Sequence, residues 1–133
     1  MFNLKNSNIL GVGVDLLKID RIAKVYARFP KQFSEKILTT EEIKKIPQDE
    51  NKKIRFLSKR FAAKEAFAKA LGTGFGASLR FHDIEIAHEI QGRPYFKIEA
   101  SIKERYSIDH IHLSISDEID QVIAFCLIEK IKS

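Results

Sequence analysis

The sequence predicts an α+β fold: a single compact domain in which a mixed or antiparallel sheet packs against one long central helix. The 133 residues suit one domain, which we place at 1–133. Strong helix formers fill the stretch from about 52 to 71, which contains no Gly or Pro. The strand-like segments of the second half follow one another through short turns. This order favours a mixed or antiparallel sheet over a doubly wound parallel one.

The first element is a strand over residues 8–15. Apolar side chains alternate along it, and Gly11 and Gly13 occupy the other face, where they bring bare backbone up to whatever packs opposite. Asp15 ends the strand, and a helical pattern begins at Leu16.

Helices fill the next part of the chain. The first helix stops near Pro30. Thr39 precedes Glu42 by three residues, the spacing of a capping box, so a second helix starts there and ends at the polar loop 47–53. The long helix follows. The remaining segments predict strands at 83–88 and 95–98, a helix at 99–106, and strands at 111–116 and 121–129.

Composition excludes several classes of protein. Ten Phe and a hydrophobic content of 44% are incompatible with a disordered chain, and no apolar run approaches the roughly 18 residues of a membrane helix. The first ten residues lack the features of a signal peptide, and the single Cys126 excludes an internal disulfide, so we expect a cytoplasmic protein. The net charge of +5 favours an anionic partner, such as nucleic acid, a phosphorylated ligand, a membrane surface or an acidic protein.

Two carboxylates are candidate metal ligands. Glu65 lies on a predicted helix that is apolar on nearly all sides, where a carboxylate needs a cation. That cation is either Lys69, four residues further on, or a metal ion. Asp15 either caps the helix that follows it or joins Glu65 in binding one Mg²⁺. The sequence leaves both alternatives open.

A glycine-rich segment follows the long helix directly. Gly72 to Gly76 would let backbone N–H groups approach a phosphate, and Arg60, Lys64 and Lys69 precede it on the helix. The alternative is an ordinary helix C-cap and turn. The segment is not a P-loop, because GxxxxGK[ST] is absent, and GVGVDL lacks the third Gly of a dinucleotide fingerprint.

Five segments together resemble the holo-acyl-carrier-protein synthase family, the small phosphopantetheinyl transferases. They occur in the family's order and span residues 9 to 129, and the stretch FAAKEAFxKALGTG is highly specific. The segments are GVGVD at 11–15 with RI at 21–22, RFAAKEAF at 60–67, KALGTG at 69–74, GRP at 92–94 and HLSIS at 112–116.

The resemblance implies an enzyme of fatty acid biosynthesis. Such enzymes transfer 4′-phosphopantetheine from coenzyme A to a serine of apo acyl carrier protein and release adenosine 3′,5′-bisphosphate. The resemblance also implies a requirement for Mg²⁺, a homotrimer with active sites between subunits, and no nucleic-acid or membrane partner. The proton of the serine then goes either to Glu65 or to a metal-bound water.

The resemblance further implies roles for individual residues. Asp15 and Glu65 match the Mg²⁺ ligands, and Lys69 matches a catalytic position near the reacting phosphates. The positions expected to contact coenzyme A are Arg60, Lys64, Lys69, Gly72, Thr73, Gly74 and Pro94.

Basic residues recur along one face of the first predicted helix. Such a face is commonly just solvated surface. The resemblance instead implies that acidic acyl carrier proteins dock there, through Arg21, Val25, Arg28 and Phe29.

One position departs from the family. Where the family's HxSxSH segment commonly ends in a histidine near the coenzyme A nucleotide, this chain has Asp117. A carboxylate there repels the 3′-phosphate unless it turns away or holds a cation, so we leave Asp117 out of the predicted site. His112, at the start of the segment, is either a structural strand residue or a ligand contact.

Two other functions are compatible with the composition. One is a nucleic-acid-binding module that uses the +5 charge, although the sequence has no concentrated basic tract and no binding motif. The other is a structural trimeric partner protein without activity. Mg²⁺-dependent binding of coenzyme A would separate the enzyme from both.

Overall fold

The structure, a computed structural model, describes residues 7–132, and the signal-peptide expectation falls mainly on residues 1–6, outside that range. Strands and helices follow one another in α+β order. The strands are β1 (Ile9–Lys18), β2 (Ile84–His88), β3 (Pro94–Ile98), β4 (Ile108–Asp117) and β5 (Gln121–Lys130). The helices are α1 (Ile19–Arg28), α2 (Pro30–Ile37), α3 (Thr40–Ile43), α4 (Glu50–Leu71) and α5 (Ala100–Tyr106), with a 3₁₀ turn (Phe81–Asp83) before β2.

The strands divide into two antiparallel units. β1, β5 and β4 form a three-stranded sheet in that order, and β2 and β3 form a separate hairpin. In the larger sheet Val14 lies opposite Phe125, which lies opposite Ser114 on the other side. The predicted mixed or antiparallel sheet and central helix are therefore confirmed, with every described pairing antiparallel.

Helix α4 crosses the three-stranded sheet and forms the centre of the core. Leu57, Ala63 and Phe67 of this helix are fully buried, as are Val122 and Ala124 of β5. The helix is apolar on several sides because the three-stranded sheet covers one side while α1 and α2 contact others. The long helical signal in the sequence thus corresponds to the element that holds the domain together.

The two strand glycines let β1 lie directly on α4. A Cβ added to Gly11 would overlap the carbonyl oxygen of Ala70, and one added to Gly13 would lie 2.7 Å from the backbone nitrogen of Ala70 and overlap the carbonyl oxygen of Ala66. Only glycine fits where two backbones come this close. This confirms the expectation that bare backbone approaches the opposite element, and it brings the next strand residues close to α4.

The junction of β1 with α1 lies further along the chain than the sequence predicts. β1 continues to Lys18, which pairs with Gln121 of β5, and α1 begins at Ile19. Asp15 therefore lies within the strand, opposite Ala124, and Lys18 is the N-cap residue of α1. The interpretation of Asp15 as a helix cap is wrong, because pairing with β5 keeps the chain extended past it.

Helix ends follow local sequence more closely. Thr39 and Glu42 form the predicted capping box. Pro30, expected only to stop a helix, also starts α2 at a position where a missing N–H does no harm. Asp49 caps α4, and Gly72 ends it in the left-handed conformation. None of the helices between residues 7 and 132 is both long enough and apolar enough to cross a membrane.

Candidate active site

The contact of β1 with α4 brings Asp15 close to one side of the long helix. Its Oδ1 accepts a hydrogen bond of 3.0 Å from Nζ of Lys69, which also donates to the carbonyl oxygen of Val14 at 3.1 Å. The Asp15 side chain is 14% exposed, whereas that of Lys69 is 53% exposed. The i, i+4 spacing alone suggested that Lys69 pairs with Glu65. In the structure Lys69 pairs with Asp15 instead.

Glu65 is half-buried and has no hydrogen-bond or ion-pair partner within residues 7–132. Burial raises the pKa of Glu65, and the negative charge of Asp15 raises it further. The charges of Lys69 and Arg21 act in the opposite direction without cancelling the rise. The ionised form of Glu65 is thus disfavoured in the metal-free protein.

These two carboxylates are a chemically suitable pair for Mg²⁺. Mg²⁺ commonly takes one or two protein carboxylates and completes its shell with water and substrate phosphates. Among residues 7–132 no group of three or more His, Cys, Asp or Glu side chains is placed to hold a metal. Asp15 and Glu65 are the residues that would hold the ion, and a cation there would relieve the unfavourable charge of Glu65.

The glycine turn follows α4 at its C-terminal end. Gly72 and Gly74 have φ values of 83° and 64°, and a Cβ on either would meet nothing within 4 Å. The hydroxyl of Thr73 donates to the Gly74 carbonyl oxygen at 3.0 Å. The alternative of a helix C-cap and turn is therefore correct for Gly72, and the exposed backbone also leaves room for a ligand.

A basic cleft lies against the other end of α4. It encloses about 420 Å³ and carries five Lys or Arg side chains around an aromatic one. Its lining residues are Lys45, Pro47, Lys52, Arg55, Phe56, Lys59, Arg60 and His88. Burial lowers the pKa of His88, and the charges of Arg60, Lys45 and Lys59 lower it further. The cleft is thus strongly positive and suits an anion with an apolar part.

Arg60 is the predicted coenzyme A contact that lies in this cleft. The residue is only 5% exposed, and its guanidinium carbon is 3.8 Å from the ring centre of Phe56. Its Nε lies 3.2 Å from Oε2 of Glu42 but without hydrogen-bond geometry. Arg60 thus carries a largely buried charge at the cleft wall.

Lys64 is fully buried and belongs to the fold. Its Nζ donates to the Ile37 carbonyl at 2.6 Å, to Oε1 of Glu42 at 2.6 Å and to the Phe81 carbonyl at 3.3 Å. Burial lowers the pKa of Lys64, and the charge of Glu42 offsets part of that effect. With no exposed atom in this arrangement, Lys64 is a structural residue, which corrects the expectation that it contacts coenzyme A.

Pro94 and His112 lie on strands beside these regions. Pro94 pairs with His88 across the β2–β3 hairpin, so it lies next to the basic cleft. Nε2 of His112 is 2.8 Å from Oε2 of Glu129 on the neighbouring strand, which favours a structural role for His112.

Asp117 holds two cations of the cleft. Its Oδ2 accepts a 2.7 Å hydrogen bond from Arg55, and its Oδ1 lies 3.5 Å from Nζ of Lys59. Slight burial raises the pKa of Asp117, but these two cations outweigh it and hold the pKa below its usual value. A carboxylate at this position was expected to repel a phosphate unless it turned away or held a cation. Asp117 holds cations.

The candidate docking face is exposed on α1 and the residue that follows it. Arg21 and Arg28 are exposed, as are Val25 at 37% and Phe29 at 46%. The guanidinium of Arg28 lies over the Phe29 ring at 5.3 Å. Because the charge of Arg21 acts on Glu65, this face adjoins the carboxylate pair.

Sequence reasoning missed most of the basic cleft. Lys52, Arg55 and Lys59 recur at helical spacing, and that pattern could have indicated one basic side of α4. Lys45 and His88 gave no such signal, because they come from a loop and from β2 and meet α4 only in the folded chain.

Comparison with known proteins identifies a family. The model of the 4′-phosphopantetheinyl transferase superfamily matches residues 11–126. The chain is 44% identical over 126 residues to the holo-[acyl-carrier-protein] synthase of Anoxybacillus flavithermus, covering 94% of this chain and 99% of that one. The crystal structure of holo-[acyl-carrier-protein] synthase from Neisseria meningitidis superposes with a TM-score of 0.85 at 42% identity, over 92% of this chain and 99% of that one.

A solved structure with a bound ligand is also similar. The holo-[acyl-carrier-protein] synthase of Helicobacter pylori in complex with coenzyme A superposes with a TM-score of 0.81 at 30% identity. The match covers 89% of this chain and 99% of that one.

Proposed function

The chain belongs to the 4′-phosphopantetheinyl transferase superfamily, and from this premise we propose that it transfers 4′-phosphopantetheine from coenzyme A to a serine of apo acyl carrier protein. The reaction depends on Mg²⁺ and releases adenosine 3′,5′-bisphosphate. We assign residues 1–133 to a single transferase domain. The single Cys126, which is buried and free, fits the cytoplasm, a reducing compartment.

One observation carries the proposal: Asp15 and half-buried Glu65, which has no partner among residues 7–132, lie together beside Lys69. A half-buried carboxylate without a protein partner is unfavourable unless a ligand supplies the missing cation. Bound Mg²⁺ would neutralise charge that develops on the pyrophosphate during transfer. The fold provides this pair because Gly11 and Gly13 let β1 touch α4.

The residues of the chain position the reactants and balance charge. The serine oxygen of the carrier protein attacks the phosphorus that bears pantetheine, and the bond from that phosphorus to the bridging oxygen breaks. The leaving group is adenosine 3′,5′-bisphosphate. Lys69, whose ammonium is half-exposed beside Asp15, can balance negative charge on the reacting phosphates.

The serine proton is transferred to a base at the same place. Glu65 is one candidate, because a carboxylate can accept a proton and this one has no protein partner among residues 7–132. Water in the site is the other candidate. Both alternatives place the proton next to the carboxylate pair.

Coenzyme A is proposed to contact two regions of the enzyme. The exposed turn Gly72–Gly74, with Thr73, takes phosphate oxygens beside Lys69. Arg60 and Pro94 lie at the basic cleft, which takes the remaining phosphate and the adenine. Lys64 is not included, because it is buried.

The two regions lie on different sides of α4. Arg60 and Lys69 are nine residues apart, which is about 180° around a helix and about 13.5 Å along it. A single subunit would require the ligand to pass around the helix, whereas two adjacent subunits can each present one region. This geometry supports active sites between the subunits of a homotrimer.

The outer face of the three-stranded sheet offers a surface for that assembly. Val12, Val14 and Leu16 are 46–63% exposed, and on β5 Ile123 and Phe125 are 42% and 39% exposed. These side chains lie on adjacent strands and form one apolar patch. Light scattering at micromolar concentration should give the mass of three chains, and Phe125→Glu should dissociate them. A monomeric wild-type protein would contradict the trimer.

The carrier protein is proposed to dock on Arg21, Val25, Arg28 and Phe29. The two arginines suit an acidic partner, and the exposed apolar pair supplies contact area next to the carboxylate pair. Charge reversal at Arg21 and Arg28 should raise KM for the carrier protein and leave coenzyme A affinity unchanged. Loss of coenzyme A affinity alone would refute this docking face.

Mass spectrometry tests the reaction directly. An apo carrier protein incubated with the enzyme, coenzyme A and Mg²⁺ should gain the mass of one phosphopantetheine arm on a serine. The gain should disappear with a chelator and with Glu65→Gln. No gain with any acyl carrier protein, under conditions in which the enzyme is folded, would rule the proposed function out.

A further inference from the structure

All the hydrogen bonds that Arg55 makes in the described chain go to the end of β4 and the turn after it, whose residues are not among those that line the basic cleft. Its Nη1 donates to Oδ2 of Asp117 at 2.7 Å and to the Glu118 carbonyl at 2.8 Å, and its Nη2 donates to the Ile119 carbonyl at 2.9 Å. Lys59, one helical turn further on, lies 3.5 Å from the other oxygen of Asp117. The Asp117 carboxylate thus pairs with two of the cationic side chains that line the cleft.

The contact surface between Asp117 and these cations is open to solvent. The side chains of Arg55, Lys59 and Asp117 are 35%, 38% and 30% exposed. Ion pairs in such positions are weak and exchange readily. A phosphate that enters the cleft can therefore compete with Asp117 for Lys59 and for one arm of Arg55.

We propose that Asp117 sets the affinity of the basic cleft, because it competes with a bound phosphate for Lys59 and Arg55. The inference rests on the proposed function, in which the cleft takes phosphates of coenzyme A. It assigns to Asp117 a restraining role: the carboxylate keeps nucleotide binding weak enough for adenosine 3′,5′-bisphosphate to leave. Asp117 thus controls binding affinity and does not take part in the chemical step.

Glu118 provides a matched control for charge. It is the next residue in the same turn and also carries a carboxylate, but its side chain makes no hydrogen bond or ion pair in the described chain, whereas its backbone carbonyl does. Asp117→Asn keeps an oxygen that can accept from Arg55 and removes the charge. Glu118→Gln makes the same change in net charge one residue away. Any effect of net charge alone is therefore common to both variants.

Calorimetric titration with adenosine 3′,5′-bisphosphate measures the effect without requiring turnover. Asp117→Asn should bind about three- to tenfold more tightly than wild type at low salt, with a steeper loss of affinity as salt rises. Glu118→Gln should stay within about twofold of wild type, as expected for an exposed charge whose side chain pairs with no cation in the described chain. Equal effects of the two substitutions, or weaker binding by Asp117→Asn, would overturn the proposal.

A second variant tests whether Lys59 is the cation released. Lys59→Met should change wild-type affinity by less than about twofold, because Asp117 already holds that ammonium. In the Asp117→Asn background the same substitution should abolish the gain. Additive effects would refute the competition. Wild-type protein that does not bind the bisphosphate at all would instead refute the proposed function of the cleft, so the two failures are distinguishable.

Discussion

Glu42 has protein partners for its charge, whereas Glu65 has none among the described residues. Replacement by Gln should therefore lower the Tm of the metal-free protein at Glu42 but not at Glu65. Glu42 is 1% exposed and accepts hydrogen bonds through both oxygens. Oε1 accepts from the Thr39 backbone N–H at 3.0 Å and from Lys64 at 2.6 Å, while Oε2 accepts from the Ile86 backbone N–H at 3.3 Å and lies near Arg60. Glu65 has no such partners among the described residues.

Glu42→Gln should strongly destabilise the fold. Either orientation of the new amide points its NH₂ group at donors, because both carboxylate oxygens face N–H groups. The buried charge of Lys64 also loses its partner. Breaking a buried pair in this way costs about 3–5 kcal/mol, which lowers Tm by roughly 10–20 °C in a domain of this size.

Glu65→Gln should leave the metal-free Tm unchanged or raise it at pH 7.5. Its pKa is raised by burial and by Asp15, so the ionised form opposes folding at a pH above that pKa, and a neutral amide removes this effect. Mg²⁺ should then stabilise only the wild type. At ten times the Kd the expected gain is about 1.4 kcal/mol, and Glu65→Gln should show no shift.

Differential scanning fluorimetry with and without Mg²⁺ separates the two glutamates. A loss of metal-free Tm in Glu65→Gln comparable to that in Glu42→Gln would show that Glu65 is structural and would refute the reasoning. Adding Lys64→Met to Glu42→Gln removes the unpaired ammonium and should recover part of the lost Tm.

Three further measurements test the fold around the site. Gly13→Ala should lower the free energy of unfolding in urea by about 3 kcal/mol or more, because its Cβ would lie 2.7 Å from the backbone nitrogen of Ala70; a loss below about 1 kcal/mol would contradict the close approach. Burial raises the pKa of the Cys126 thiol to about 12, so iodoacetamide at pH 8 should modify it only after unfolding, and rapid reaction of the native protein would disagree with its position in β5. Because the pKa of Asp117 is lowered, its ion pairs stabilise the folded protein at neutral pH, and this stabilisation is lost as pH falls through the lowered pKa. Asp117→Asn should therefore reduce the acid-side slope of Tm against pH, and an unchanged slope would count against the ion pair.

Local sequence predicted the features of the site that depend on backbone shape. Gly11 and Gly13 indicated a close approach without naming the partner, and the structure identifies α4. The capping box at Thr39 and the end of α4 at Gly72 depend on neighbours within a few residues, so the sequence was sufficient for both. The end of β1 depends instead on pairing with β5, more than 100 residues further along the chain, which is why the predicted strand stops three residues early.

Charge partners were harder to predict, because each of them lies far along the chain. Lys64 and Glu65 are adjacent in sequence and about 100° apart around the helix. That rotation turns Lys64 towards Glu42 and leaves Glu65 beside Asp15. The motif therefore identified α4 as a helix with functional residues. Which charged side chain of the helix pairs with another protein residue, and which remains available to a ligand, depends on the residues that the fold places next to it.

The same distinction applies to the basic residues of α4. Arg60 approaches a buried carboxylate, Arg55 and Lys59 share an exposed one, and Lys69 pairs with Asp15 beside the glycine turn. The net charge of the chain does not separate these cases. What separates them is how readily an incoming phosphate can displace the carboxylate, and that depends on the exposure of each pair. Arg60 should therefore stay paired while a ligand binds, whereas a phosphate can compete for the more exposed pairs of Lys59 and Lys69.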